Sequence, residues 1–121
     1  MPGNRRIGER VTITPVAVAW MPAITENRRG RRGRRQRPQP AYLVELSVSG
    51  ARIVAHSRSR IEVGTWMELD VQGHHGVVEV RRIEDTDNRS AFVFGVVFIL
   101  LAPELQQRIY RTIALSRSRR R

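Results

Sequence analysis

Two short stretches of this 121-residue chain carry side chains suited to recognising a ligand. In Glu45-Leu46-Ser47-Val48-Ser49-Gly50 a carboxylate, a hydroxyl and a glycine stand at fixed offsets. In Arg6-Ile7-Gly8-Glu9-Arg10 two arginines stand four residues apart, with Arg5 just before them. An arginine side chain is a planar fork that pairs two-pronged with a carboxylate, a phosphate or a guanine edge, and it stacks on rings. All 22 basic residues are arginines, and against 11 acidic residues they leave a formal net charge of +11. That balance points to a nucleotide or polyanionic partner. A solvated cationic surface is the plain alternative.

Other chemistry finds little support. The chain has no cysteine, which excludes disulfides and thiolate metal sites. His74 and His75 are adjacent and His56 stands alone, with no spaced carboxylates to complete a metal set. Ser47 and Ser49 lack a base and an orienting group, so nucleophilic catalysis has no candidate. The chain reads as a binding module and not an enzyme, with no cofactor. The longest apolar run, Phe92 to Ala102, is too short to cross a bilayer, and the reading is a soluble cytoplasmic protein.

The elements that must position these residues follow from periodicity. Residues 1–10 form a polar, flexible arm that carries both arginines. Val11 to Trp20 alternates like a strand but changes phase at Pro15, which predicts an edge or a bulge. Residues 27–40 carry Arg28, Arg29, Arg31, Arg32, Arg34, Arg35 and Arg37, and their mutual repulsion predicts an unburied insertion. Strands are predicted at Tyr42–Leu46 and Ala51–His56, joined as a hairpin, then at Trp66–Val71 and Val77–Glu84. Residues 72–76 read as a turn between the last two. Ala91–Leu100 is apolar on both faces and reads as the most buried strand. Trp20, Trp66 and the phenylalanines read as core. Leu105, Ile109 and Ile113 recur every four residues behind Pro103, which predicts a helix over about 103–115 with a basic tail at 116–121. The sum is a mainly β fold: a small six-stranded antiparallel barrel over 11–115 with a C-terminal helix.

With those elements in place the chain resembles the PilZ domain, the cytoplasmic receptor module for bacterial cyclic di-GMP. That family carries an RxxxR element just before its first strand, here Arg6 to Arg10 running into Val11. Its second element is [D/N]xSxxG between the second and third strands, here Glu45 to Gly50 followed by Ala51-Arg52-Ile53. Gly64-Thr65-Trp66-Met67-Glu68-Leu69 is similar to the start of the family's fourth strand. Phe94-Gly95-Val96-Val97-Phe98 and Pro103-Glu104-Leu105 are similar to its last strand and closing helix. The chain departs from the pattern at Glu45, whose carboxylate sits one methylene further out than the family's aspartate.

The resemblance implies a ligand, cyclic di-GMP, and roles for six residues. Guanine offers acceptors N7 and O6 on one edge, which match an arginine fork, and N–H donors on another, which match a carboxylate. By resemblance Arg6 and Arg10 hold phosphates and acceptor edges, and Glu45 receives guanine donors. Ser47 supplies a hydroxyl, and Gly50 lets backbone approach the base and tolerates the turn. An arginine at the position of Arg5 is associated in the family with binding an intercalated ligand dimer. The implied output is an arm that orders over the barrel and an unidentified protein effector in trans. Two alternatives stay open: a PilZ-like interaction domain that has lost its ligand, and nucleic-acid binding through Arg28 to Arg37.

Overall fold

The computed structural model describes residues 10–23, 37–56, 61–87 and 90–119. Most of the arm, with Arg5 and Arg6, and most of the arginine-rich insertion lie outside the described residues. Six strands follow in order: β1 (Val11–Pro22), β2 (Gln39–Leu46), β3 (Gly50–Ala55), β4 (Trp66–Val71), β5 (His74–Asp85) and β6 (Phe92–Leu101). One helix, α1 (Pro103–Arg119), ends the series. The strands close into an antiparallel barrel in the order β1-β2-β3-β6-β5-β4. The expected mainly β six-stranded barrel with a C-terminal helix is what the chain forms.

The interior follows from the period-two pattern. Met67, Leu69 and Val71 of β4 point inward and are buried, as are Val78 and Val80 of β5. Trp20 and Phe94 meet at the centre, edge to face, with ring centroids 5.1 Å apart and planes at 75°. Leu105, Ile109 and Ile113 are buried, so α1 closes the barrel along its four-residue stripe. Gly76 makes room for that closure. A side chain there would meet Leu101 at 2.8 Å and Leu105 at 3.2 Å.

Several expectations need correction. The turn predicted at 72–76 is only Gln72-Gly73, and β5 already starts at His74. Both corner residues have positive φ, 52° and 88°, and such a turn matches the strand twist, so pairing resumes at once. Asp70 Oδ1 accepts the Gly73 N–H at 2.9 Å and steadies the corner. β2 begins at Gln39, with Pro40 paired to Ala19, so the insertion ends earlier than residue 40. α1 runs past 115 to Arg119; arginine is a good helix former, and cations suit a helix C-terminus. β6 is not the most buried strand: a barrel has no central strand, and Leu100 is 64% exposed. Trp66 faces outward, 47% exposed, and is not core.

Pro15 lies where the β1–β2 register shifts, and the predicted bulge is present. Ile13, Thr14 and Pro15 stand against Val44 alone.

Phe94→Ala is expected to lower the unfolding free energy by about 3–5 kcal/mol in urea titration. A double-mutant cycle with Trp20→Ala should return a coupling of about 0.5–1.5 kcal/mol for the ring pair.

Candidate functional site

The β2–β3 corner is built around Ser47, which is buried. Its hydroxyl accepts the Gly50 N–H at 3.1 Å and lies 3.3 Å from the Gly50 carbonyl, to which it can donate. The Ser47 N–H donates to that same carbonyl at 2.9 Å. The hydroxyl therefore closes the turn on itself. Ser49 then accepts the Phe98 N–H at 2.9 Å, which ties the corner to β6.

Gly50 does not serve the turn in the way expected. Its φ is not in the left-handed region, so the turn itself does not demand glycine. A Cβ at this position would collide with the Val96 carbonyl oxygen, where β3 lies against β6.

Register places a row of residues across the outer face: Glu45 on β2, Arg52 on β3, Gly95 on β6 and Arg82 on β5. Gly95 has no side chain, so a hollow opens between the two guanidinium groups. The cleft above it measures about 310 Å³. Arg10, Arg52, Arg81 and Arg82 line it, with Glu84 as the carboxylate and Ser47, Gly50, Gly95 and Val97 among the rest. Four cations against one anion make it a place for an anion, and its partly enclosed wall strengthens their field.

Two bulges aim these groups. Arg81 is the extra residue between the pairs Val80–Val96 and Arg82–Gly95, so alternation slips there. Arg81 and Arg82 are consecutive yet both exposed and both in the cleft. Val44 is the extra residue between Leu43–Ile53 and Glu45–Arg52 and sits just before Glu45.

Ion pairs bind the cations loosely or firmly. Arg52 donates to Glu84 at 2.8 Å. Arg82 lies 3.7 Å from the other Glu84 oxygen. The hydrogen bond from Arg52 holds Glu84 below the usual carboxylate range, helped by the charges of Arg52, Arg82 and Arg10. The same bond to Glu84 raises Arg52, against some loss of hydration. Arg10 and Glu45 stand 3.8 Å apart, too far for a hydrogen bond, so each keeps its hydrogen-bonding capacity. An exposed pair of this kind contributes about 0–1 kcal/mol.

The structure thus brings Arg10, Ser47 and Gly50 to one cleft and puts Glu45 at its edge, paired to Arg10. Arg5 and Arg6 lie outside the described residues. Sequence reasoning missed Arg52, Arg81, Arg82, Glu84 and Gly95 as members. The signal for the last two arginines would have been a dipeptide of like charge interrupting strand alternation. A second hollow of about 510 Å³ lies between β1 and the end of α1, but none of its lining residues is charged. Among the described residues no group of three or more His, Asp or Glu side chains is placed to hold a metal.

No family model matches this sequence, and no curated protein matches it. Solved structures with the same fold do exist. The Bacillus subtilis inhibitor of motility MotI/DgrA matches at TM-score 0.65 and 15% identity, over 93% of this chain and 53% of that one. Escherichia coli YcgR in complex with c-di-GMP matches at TM-score 0.62 and 15% identity, over 96% of this chain and 48% of that one. The PilZ domain of the same YcgR, also with c-di-GMP, matches at TM-score 0.62 over 96% of this chain and 95% of that domain. The chain spans about half the length of the first two proteins. These neighbours are PilZ-domain proteins, and at this identity the likeness is one of fold.

Gly50→Ala should destabilise the barrel by the roughly 1–3 kcal/mol typical of overpacking, read from its urea midpoint. Gly95→Ala meets only the Arg82 Cβ at 3.4 Å and should shift stability by about 0.5 kcal/mol or less. Glu84 is depressed in the folded state, so its contribution is complete above the ordinary carboxylate range and fades as pH falls through its lowered value. Glu84→Gln should remove that part of the acid loss of stability in thermal melts taken from neutral to acid pH.

Proposed function

We propose that this chain is a cyclic di-GMP receptor domain with no catalytic step of its own. The observation that supports this best is the glycine-floored cleft between Arg52 and Arg82, with Arg10 and the Ser47–Gly50 corner on its wall. The two phosphates of the ligand suit the cation excess. Its guanine acceptor edges suit arginine forks, and its donor edge suits the Glu45 carboxylate, which no described hydrogen bond occupies. Arg5 and Arg6 join from the arm that precedes Arg10, and Arg5 extends the site to a second, stacked ligand molecule. A bound cyclic di-GMP in solved domains of this fold is consistent with the same use here.

Two opposed terms set the switch. A charge-assisted hydrogen bond contributes about 1.5–3 kcal/mol, and micromolar affinity needs about 8 kcal/mol. Ordering backbone in the arm opposes binding by about 1–2 kcal/mol per residue. Ligand binding then recruits the arm onto the barrel, and the changed surface acts on a protein partner in trans. A cytoplasmic location follows from that role. Among the described residues no helix is long and apolar enough to cross a membrane.

One observation favours a second reading, a domain of the same fold that binds protein and no nucleotide. Glu45 and Arg10 stand 3.8 Å apart, so each has an opposite charge beside it without any nucleotide.

Calorimetric titration decides between them. Heat with cyclic di-GMP, and none with GTP or linear pGpG, is the expected result; no heat with any of the three points to the second reading. Arg10→Ala should weaken binding by about 10- to 100-fold, the worth of one charge-assisted bond. Glu45→Asp should bind at least as well as the native chain.

A further inference from the structure

The outer face of β4, β5 and β6 carries a pattern that neither the core nor the cleft uses. Register sets Trp66, Glu79 and Val97 in one row and Glu68, Val77 and Leu100 in the next. Apolar and acidic side chains alternate over β4 and β5, and β6 adds two apolar ones, Val97 and Leu100. Trp66 is 47% exposed and Leu100 64%, with Ile99 in the bulge beside them. Asp70 extends the acidic side by one more row, opposite His75. On a chain of net charge +11 this is a local reversal of sign. Arg81 reaches Glu79 only at 4.0 Å, and no ion pair to Glu68 occurs among the described residues.

The outward face of α1 is the opposite case. Tyr110 (46% exposed) and Leu115 (58% exposed) flank Arg111, which is exposed and has no ion pair among the described residues. Arg108, on the same side, donates to Gln72 at 2.9 Å. Among the described residues a helix face carrying Tyr110, Arg111 and Leu115 and an acidic, apolar sheet face therefore stand without a partner. The strands close into a barrel in which each is paired on both sides over part of its length, and the two faces offer packing that needs no strand addition.

We propose that this chain self-associates, with the Tyr110–Arg111–Leu115 face of one copy seated on the Trp66–Glu68–Glu79–Leu100 face of a second. β6 leads into α1 through Leu101 and Pro103, so helix and sheet face share a corner. A two-fold axis at that corner seats each helix on the other copy's sheet, and the contact closes as a dimer. The tryptophan and the tyrosine are the anchoring side chains, a type enriched at interface centres. Arg111 pairs with Glu68 or Glu79 across the boundary, which fixes the register. The proposal does not depend on any nucleotide.

The test is the mass of the full chain by light scattering and sedimentation over a concentration series. The expected result is a species of twice 13.9 kDa that dissociates on dilution and in high salt. Glu68→Arg and Arg111→Glu should each weaken the dimer by about tenfold or more. Combining them should restore it, since the charges are exchanged and the shape kept. Trp66→Ala should weaken it as well, with circular dichroism confirming that each variant is folded. A monomer at every concentration overturns the proposal. So does a dimer whose mass ignores both the charge reversals and Trp66→Ala.

Discussion

The barrel depends on how closely β3 and β6 can approach. These strands are far apart in sequence, and their pairing joins β1–β2–β3 to β6–β5–β4. At Gly50 the strands meet with no room for a side chain, because the Val96 carbonyl occupies the place of a Cβ. Ser47 sets Gly50 in position through its hydroxyl, and Ser49 fastens the corner to Phe98. The serine and glycine of the second motif are thus first of all the clasp that shuts the barrel. The same clasp puts the corner on the rim of the cationic cleft, so the barrel's closure and that cleft share one short segment.

Bulges convert that closed barrel into a site. A regular strand exposes every second residue, so the consecutive Arg81 and Arg82 would fall on opposite faces of β5. The extra residue at Arg81 lets two neighbours face outward together. Gly95 then leaves the floor open between Arg52 and Arg82. Glu84 gathers two of the cations by direct pairing and keeps them at short range. Like charges so placed repel one another, and an anionic ligand relieves that repulsion.

Much of this architecture was legible in the sequence. The alternation of Met67, Leu69 and Val71 and the stripe of Leu105, Ile109 and Ile113 describe buried faces, because burial acts on those side chains directly. Pro15 announced its bulge because proline removes a ladder donor. The failures over which side chains are exposed have one cause. Exposure on a curved barrel depends on which strand is neighbour, and sequence pattern is blind to neighbours. Trp66 reads as core by its type, yet its row meets Glu79 and Val97 on the outside. Ala91 to Leu100 reads as doubly buried, yet Leu100 is exposed on the outer side. Arg52, Arg82 and Glu84 became site members only through pairing between distant strands.

The central claim is that the glycine-floored cleft is where a cyclic dinucleotide binds. The most direct measurement is amide chemical-shift mapping of the labelled chain during addition of cyclic di-GMP. The account predicts that the largest shifts fall on Ser47 to Arg52, Arg81 to Glu84 and Gly95 to Val97. Shifts confined to β1 and α1 around the uncharged hollow, or no shift at saturating ligand, would contradict it.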